Sequence, residues 1–335
     1  MASVREIARQ LGVSPATVSR AMNNHASIAP DLRKRVLSLV NRKRYVPKVG
    51  RRSTTNIALA YTAEPSLSSP FDAALLAGMG QRMEEFGFDL MILSTRTAKL
   101  ADETFSQMFL RKGIRGAVLR TTAESRHICE QIISEEFPAV VVGDRFDDPR
   151  ASFIYADSRA ASREAVEYLI QLGHWRIGIC VNVVDDSDHA DRLAGYQEAL
   201  AAKQLPFDEA LVFRTWARVD GGTQVVRRLM SLSSRPTALY CADPMTAVGA
   251  VNEARNVGLD VPGDLSIIGF DDAELRFMVS PTMTCVCQDA ALIGREAFDV
   301  LHRMIEVSEE EQSVRRVLST RFEVHGTTTS PRKSS

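Results

Sequence analysis

From Asn56 onward, short apolar runs alternate with longer stretches of helical spacing, and this alternation limits the possible folds more than any other feature. IALAY (57–61), DLMILS (89–94), GAVLR (116–120) and AVVVG (139–143) have the length and apolar content of buried strands. FDAALLAGMGQRMEEF (71–86), between the first two, has the spacing of a helix. The pattern restarts after Tyr155: a helix at about 159–171, RIGICV (176–181), a helix at 191–203, TALYC (237–241) and LSIIGF (265–270). Strands and helices alternating across short connections build parallel, doubly wound sheets. Two such series in tandem predict two α/β lobes. Ligands bind beyond the carboxyl ends of such strands, and two facing lobes form a cleft that can close on a small molecule.

The chain before this body is chemically different. Of 41 Lys and Arg in 335 residues, twelve lie in residues 1–53, against only two acids, Glu6 and Asp31. That segment carries +10 and the remainder −11, so a net charge of −1 hides a small basic unit joined to a large acidic body. Only the basic unit is suited to a polyanion. A hydrophobic fraction of 45% excludes a disordered chain. No apolar run approaches the roughly 18 residues of a membrane span, and MASVREIARQ lacks the apolar stretch of an export signal. The five cysteines, Cys129, Cys180, Cys241, Cys285 and Cys287, are odd in number and scattered, which favours a reducing cytoplasm over a disulfide scaffold.

Within the basic segment, Val4, Ile7, Ala8 and Leu11 form the apolar stripe of a short helix, which Gly12 ends. Ser14-Pro15 restarts the chain with a capping hydroxyl and a proline at the first helical position. In the helix that follows, Val18, Ala21 and Met22 share one face, and Ala16, Arg20 and Asn23 the opposite one, flanked by Thr17 and Ser19. Leu32, Val36, Leu39 and Val40 make a third stripe after Pro30. Three short helices with a glycine turn between the first two describe a helix-turn-helix. The slim outer face of the second suits the major groove, and Arg20 is long enough to fork onto a guanine edge. Ser14, Thr17, Ser19 and the helix N-terminus are placed to donate to phosphates.

These residues carry a resemblance. GVSPATVSRAMNN at 12–24, preceded by REIARQL and followed by YVP at 45–47, resembles the headpiece of the lac repressor/galactose repressor family, and the likeness extends to about residue 326. It implies that Pro15, Ala16 and Arg20 face bases while Ser14, Thr17 and Ser19 contact phosphates. It also implies a body of the periplasmic-binding-protein type, in which the chain crosses three times between lobes. The expected organisation is a headpiece over 1–47 and a linker over 48–56. A first lobe follows over 57–156 plus about 288–315, and a second over 157–287 plus about 316–326. A disordered tail over 327–335 completes the chain.

One departure from the family is plain. The segment after YVP usually contains an Ala and a Leu, and paired Leu residues wedge into the minor groove. Here KVGRRSTTN (48–56) is several residues shorter and has no Leu, so the wedge that kinks DNA is missing. Gly50 and the Ser-Thr-Thr run read as a flexible linker. Arg51 and Arg52 are suited equally to a narrow minor groove or to simple phosphate contact.

The resemblance also nominates effector-binding residues. Phe71 stands where an aromatic often meets the ligand, and Arg192 in DRLAGY matches an arginine that forks onto hydroxyls or carboxylates. Trp216 matches a position that stacks under a sugar ring, and Asp271 in IIGFDD a ligand-binding aspartate. Asp243 stands where Asn is commoner, and Asp144 follows another strand. Each has an ordinary structural alternative. Phe71 and Trp216 are equally explained as buried aromatics, Asp243 before Pro244 as a helix cap, and Arg192 with Asp271 as an ion pair. Aromatics and carboxylates around one guanidinium favour a neutral, polyhydroxylated ligand over a phosphorylated one.

No cofactor motif, metal set or catalytic fingerprint stands out. Cys285 and Cys287 share one strand face without a His or Cys to complete a zinc site, and His174 reads as a structural turn residue. The expectation is a cytoplasmic, homodimeric repressor that binds operator DNA under control of a sugar-like effector. A sugar-binding protein, a sugar-acting enzyme using Asp243 and Asp271 as an acid/base pair, and a nonspecific DNA packager are its rivals.

Overall fold

The structure is a computed structural model that describes residues 3–43, 45, 48–49, 52–306 and 313–332; at 48–49 and 52–53 it describes backbone only. The basic segment folds as α1 (Val4–Leu11), α2 (Pro15–Met22) and α3 (Pro30–Arg42). Ser3 Oγ accepts from Glu6 N at the start of α1, and Gly12 ends it at φ 67°, a left-handed turn that a side chain would strain. Ser14 Oγ accepts from Thr17 N and Pro15 occupies the first turn, so the restart follows from local chemistry. Ile7, Ala8, Val18, Ala21, Val36 and Val40 close a core from the three stripes.

The connection to the body departs from a flexible linker in its described part. Strands β1 (Lys48–Val49) and β2 (Arg52–Ser53) pair antiparallel, with Lys48 opposite Ser53 and Val49 opposite Arg52. The next residues then run directly into the first long strand of the body.

The chain divides into two compact units. The first holds residues 1–66, 76–155 and 292–316. Along the chain come β3 (Asn56–Tyr61), α4 (Pro70–Phe86), β4 (Asp89–Ser94), α5 (Thr95–Ala98), α6 (Phe105–Arg111), β5 (Ala117–Arg120), α7 (Arg126–Ser134), β6 (Ala139–Val142) and β7 (Ser152–Asp157). The sheet runs β4-β3-β5-β6-β7 in parallel, and the returning strand at 315–319 lies beside β7. Its core includes Phe109 stacked on Phe137 at 4.5 Å between centroids.

The second unit holds residues 67–75, 156–291 and 317–335. Its elements begin with α8 (Arg159–Gln171), β8 (Ile177–Asn182), α9 (Ser187–Ala202) and β9 (Val212–Thr215). They continue with α10 (Val219–Met230), β10 (Ala238–Cys241), α11 (Pro244–Asn256), β11 (Ser266–Asp271) and β12 (Thr284–Cys287). Helix α12 (Ala290–Glu306), nearly all of which belongs to the first unit, and β13 (Arg315–Ser319), the strand beside β7, come next, before β14 (Arg321–Glu323) rejoins the second unit. The order β9-β8-β10-β11-β12 repeats that of the first unit, with β14 added antiparallel at the edge, Val286 opposite Phe322. Because successive strand residues point to opposite faces, Ile268 and Phe270 enter one core and Ile267 with Cys241 the other. Helix α9 lies so close to α8 that a Cβ at Gly195 would come within 2.4 Å of Arg159 O, so the glycine of DRLAGY serves packing.

The tail is more ordered than a polar composition predicts. Thr327 is buried and bonds Ile267 O and Thr284 N, Thr329 O accepts from Ser266 Oγ, and Arg332 pairs with Asp260 and Asp264. Residues 327–332 therefore form part of the second unit. Threonine hydroxyls and one arginine fasten them where apolar burial does not; the expected disorder at 333–335 concerns residues outside those described.

Candidate functional sites

The headpiece presents its candidate DNA-reading residues on one surface. Val18 and Ala21 are fully buried, which turns the other side of α2 outward. Ser14, Pro15, Ala16, Ser19, Arg20 and Asn23 are exposed and Thr17 is half-buried. The Ser14 and Thr17 hydroxyls lie 2.8 Å apart at the N-terminus of α2, where free backbone N–H groups and the helix dipole favour an anion. Arg33 donates to His25 O and Ile28 O, which fixes the turn between α2 and α3. Of the two linker arginines, Arg51 lies outside the described residues, and only the backbone of Arg52 is described.

The second unit gathers polar groups at one end of its sheet. Beyond β8 stand Asp186, Asp188 and His189; beyond β9, Trp216; beyond β10, Ala242 and Asp243; beyond β11, Asp272; beyond β12, Gln288. All follow carboxyl ends, the edge at which a doubly wound sheet binds ligands, with the strand order reversing between β8 and β10.

Arg192 is the hub. Its guanidinium is buried, donates to Ala242 O at 2.7 Å and lies 3.5 Å from the Phe270 ring centroid. A buried guanidinium requires opposing charge, and Asp188, Asp272 and Asp186 supply it. Asp272 accepts from Gln288 Nε2. Burial pushes its carboxyl up to about 7; Arg192 and the Gln288 hydrogen bond pull it down, while Asp243 and Asp188 add to the rise. Asp272 thus changes protonation near neutrality, and as the acid it can donate as well as accept. Asp186 caps α9 through His189 N and also bonds His189 Nδ1 at 2.9 Å. Burial works to raise the Asp186 carboxyl, but the charge and hydrogen bonds of His189 hold it below the usual carboxylate range. Reciprocally, burial works against a charge on His189, and Asp186 raises its value above the ordinary one. His189 Nε2 is buried without a protein partner.

The nominated residues fare differently. Arg192 lies in this group and Trp216 is 55% exposed, its ring 5.7 Å from the Arg218 guanidinium. Asp243 also belongs to the electrostatic group, yet one of its oxygens caps α11 through Met245 N and Thr246 N. Asp271 has another duty. Its carboxylate binds Arg276 Nη1 at 2.6 Å and accepts from Ala273 N and Leu275 N, which folds the loop after β11. The strand alternation that buries Phe270 beside Arg192 sends Asp271 the other way and brings Asp272 to the guanidinium. Asp144 forks with Arg126 at 2.8 and 2.9 Å in the first unit. Phe71 is buried in the first turn of α4. Asp272, His189 and Gln288 escape notice in the sequence, where Asp185, Asp186 and Asp188 show only as an acidic cluster that a surface loop explains as well as metal or ligand binding. The doubled aspartate of GFDD was the available signal, and strand parity was needed to choose between its members.

Cys285 and Cys287 have their sulfurs 3.2 Å apart beside Asp271. The Cys287 sulfur and burial push the Cys285 thiol far up, and Arg276 already holds the carboxylate. With the carboxylate already paired to Arg276 and both sulfurs sealed from solvent, these groups pack the core. His174 is buried, with Nδ1 on Thr237 Oγ1 and Nε2 on Thr329 O, each at 2.8 Å. Among the described residues no helix is long and apolar enough to cross a membrane.

Comparison with known proteins agrees with this architecture. Residues 3–48 match the family described as bacterial regulatory proteins, lacI family, and residues 166–328 match a periplasmic binding protein-like domain. The ribose operon repressor of Haemophilus influenzae is 30% identical over 311 residues, covering 91% of this chain and 92% of the relative. The transcriptional repressor CytR of Escherichia coli K12 is also 30% identical, over 305 residues, covering 90% of this chain and 89% of the relative. Among solved structures, a transcriptional regulator CelR–cellobiose complex is 26% identical and superposes with a TM-score of 0.70, covering 98% of this chain and 100% of that one. The chain belongs to the lacI family of bacterial transcription regulators, and it is a DNA-binding regulator rather than an enzyme.

Proposed function

We propose that the chain is a cytoplasmic, homodimeric repressor whose affinity for a near-palindromic operator is set by a small polyhydroxylated ligand. One observation carries the DNA-binding half: the polar and slim residues of α2 are outward while Val18 and Ala21 are sealed in the core. Arg20 supplies the base-edge fork, with Pro15, Ala16 and Asn23 beside it; Ser14, Thr17 and Ser19 supply phosphate contacts. One headpiece spans a half-site, so two-fold pairing of chains matches a two-fold operator.

The ligand half rests on Arg192, Asp272 and Trp216. A guanidinium fork and a carboxyl that both donates and accepts suit vicinal hydroxyls, and an exposed indole face suits the C–H side of a sugar ring. Asp243 and Phe71 complete the proposed contacts. Asp271 and Asp144, with their carboxylates committed to arginines, act in the scaffold. The likeness to a regulator solved with cellobiose, and to a ribose operon repressor, supports this ligand class. The test titrates a panel of neutral mono- and disaccharides against the purified full chain, reading both melting temperature and operator retention. One sugar is expected to raise the melting temperature and alter retention together; a panel that moves neither overturns the ligand half.

A further inference from the structure

The headpiece does more than hang from a linker: it sits on the first lobe through buried polar contacts. Asn41 on α3 and Gln107 on α6 are both almost completely buried. The Asn41 amide donates to Ser106 Oγ at 2.9 Å and to Glu135 O at 2.6 Å, so both of its hydrogens are used. The Gln107 amide donates to Ala21 O at 2.9 Å and to Asn24 Oδ1 at 3.4 Å, at the end of α2 itself. Its oxygen meanwhile accepts from Thr104 N in the capping box of α6. Around these, Ser38 Oγ donates to Glu136 at 2.6 Å, Asn24 donates to Asp102 O, and Leu110 packs against the headpiece core. The space between Val40, Asn41 and Tyr45 on one side and Leu110, Phe137 and Ile305 on the other is only about 10 Å³.

A buried side-chain amide fits only where both donors and its acceptor find partners, so such groups specify one register. Those partners come from both sides here, and none of them is a DNA-reading residue. Ser14, Pro15, Ala16, Ser19, Arg20 and Asn23 stay exposed while the seat is occupied. From this geometry we infer that the headpiece reads DNA while seated on the first lobe, with Gln107 and Asn41 transmitting the lobe's position to α2 in place of the missing leucine wedge. The inference rests on the operator-binding reading above, which unmodified protein tests separately.

Two experiments on the full chain decide it. Gln107→Glu keeps the capping box, for which Glu is well suited, but opposes a carboxylate oxygen to Ala21 O. Operator affinity is expected to fall at least fivefold while the lobes keep a cooperative unfolding transition, the buried carboxylate lowering the melting temperature of the seat; unchanged or tighter binding overturns the inference, the latter by marking the seat as an off state. In the second, Ser38→Cys and Glu136→Cys are bridged by a short bis-maleimide. All five native cysteines are buried, and position 136 already carries a side chain at φ 58°. The bridged protein is expected to bind operator within threefold of the unbridged double variant. A larger loss, absent from reagent-treated single variants, shows that the headpiece must leave its seat and overturns the inference. Failure of the unmodified protein to select any operator strikes instead at the DNA-binding reading.

Discussion

The headpiece and the second lobe solve the display of functional polar groups in opposite ways. On α2, Ser19, Arg20 and Asn23 project into solvent and have no structural task, so changing them leaves the helix core of Val18 and Ala21 untouched. At the carboxyl ends of the second sheet, Arg192, Asp186 and Asp272 are withdrawn from solvent and depend on each other's charge. A site that reads a rigid external surface can be separated from the fold that carries it. A site that withdraws a small molecule from water must use the same buried charges for binding and for folding.

The sharpest way to break this contrast is Arg192→Ala. Removing the hub leaves Asp272 and Asp188 facing each other without their cation, and loss of one partner of a buried pair costs about 3–5 kcal/mol. Chemical denaturation should show that loss together with loss of ligand response. Asp271→Asn comes next. It weakens the buried contact with Arg276, with a stability cost of about 3 kcal/mol, yet the affinity of the remaining folded protein for ligand should persist. Loss of ligand affinity at unchanged stability would return Asp271 to the binding site. Arg20→Ala is expected to cost roughly 1–3 kcal/mol at one base pair of the operator, with no change in melting temperature.

The smallest effects are pH-dependent and opposite in sign. The folded-state value of Asp272, about 7, lies above the ordinary carboxylate value, so its stabilising proton is present in acid and lost as pH rises through 7. Melting temperature should therefore fall from pH 6 to 8; the raised value of His189 adds a fall of the same sign, so Asp272→Asn should reduce that slope without abolishing it. Burial lowers His174, so the stability of its neutral form is full above the ordinary histidine value and declines as pH falls below it. In the Asp272→Asn background, the residual loss below pH 6.5 should disappear with His174→Gln.

The same contrast decides how much is legible in the sequence. The apolar runs IALAY, TALYC and LSIIGF mark strands because burial on both faces leaves little room for polar residues, whereas DLMILS reads as a strand by its apolar content although it lies at the sheet edge with Ile92 exposed. The α2 surface is readable because a solvent-facing helix residue answers to one demand only. Strand Ser152–Asp157 carries an apolar run of only four residues between polar ends, and helix α10, amphipathic through Val225, Val226 and Leu229, opens on paired glycines that disguise its start. The second-lobe residues were legible as a neighbourhood and ambiguous as individuals. Either carboxylate of GFDD satisfies the same motif, and strand parity with the Arg276 contact selects Asp272. The seat of the headpiece left no signal at all, because Asn41 and Gln107 are ordinary polar helix residues until folding brings their partners together.

The central claim, sequence-specific operator recognition, is tested most directly by selecting bound duplexes from a random pool with the purified full chain at near-physiological salt. The account predicts a two-fold symmetric consensus in which Arg20→Ala relaxes one base pair per half-site. Retention that depends on salt alone, with no consensus in the presence or absence of the sugar panel, would contradict it.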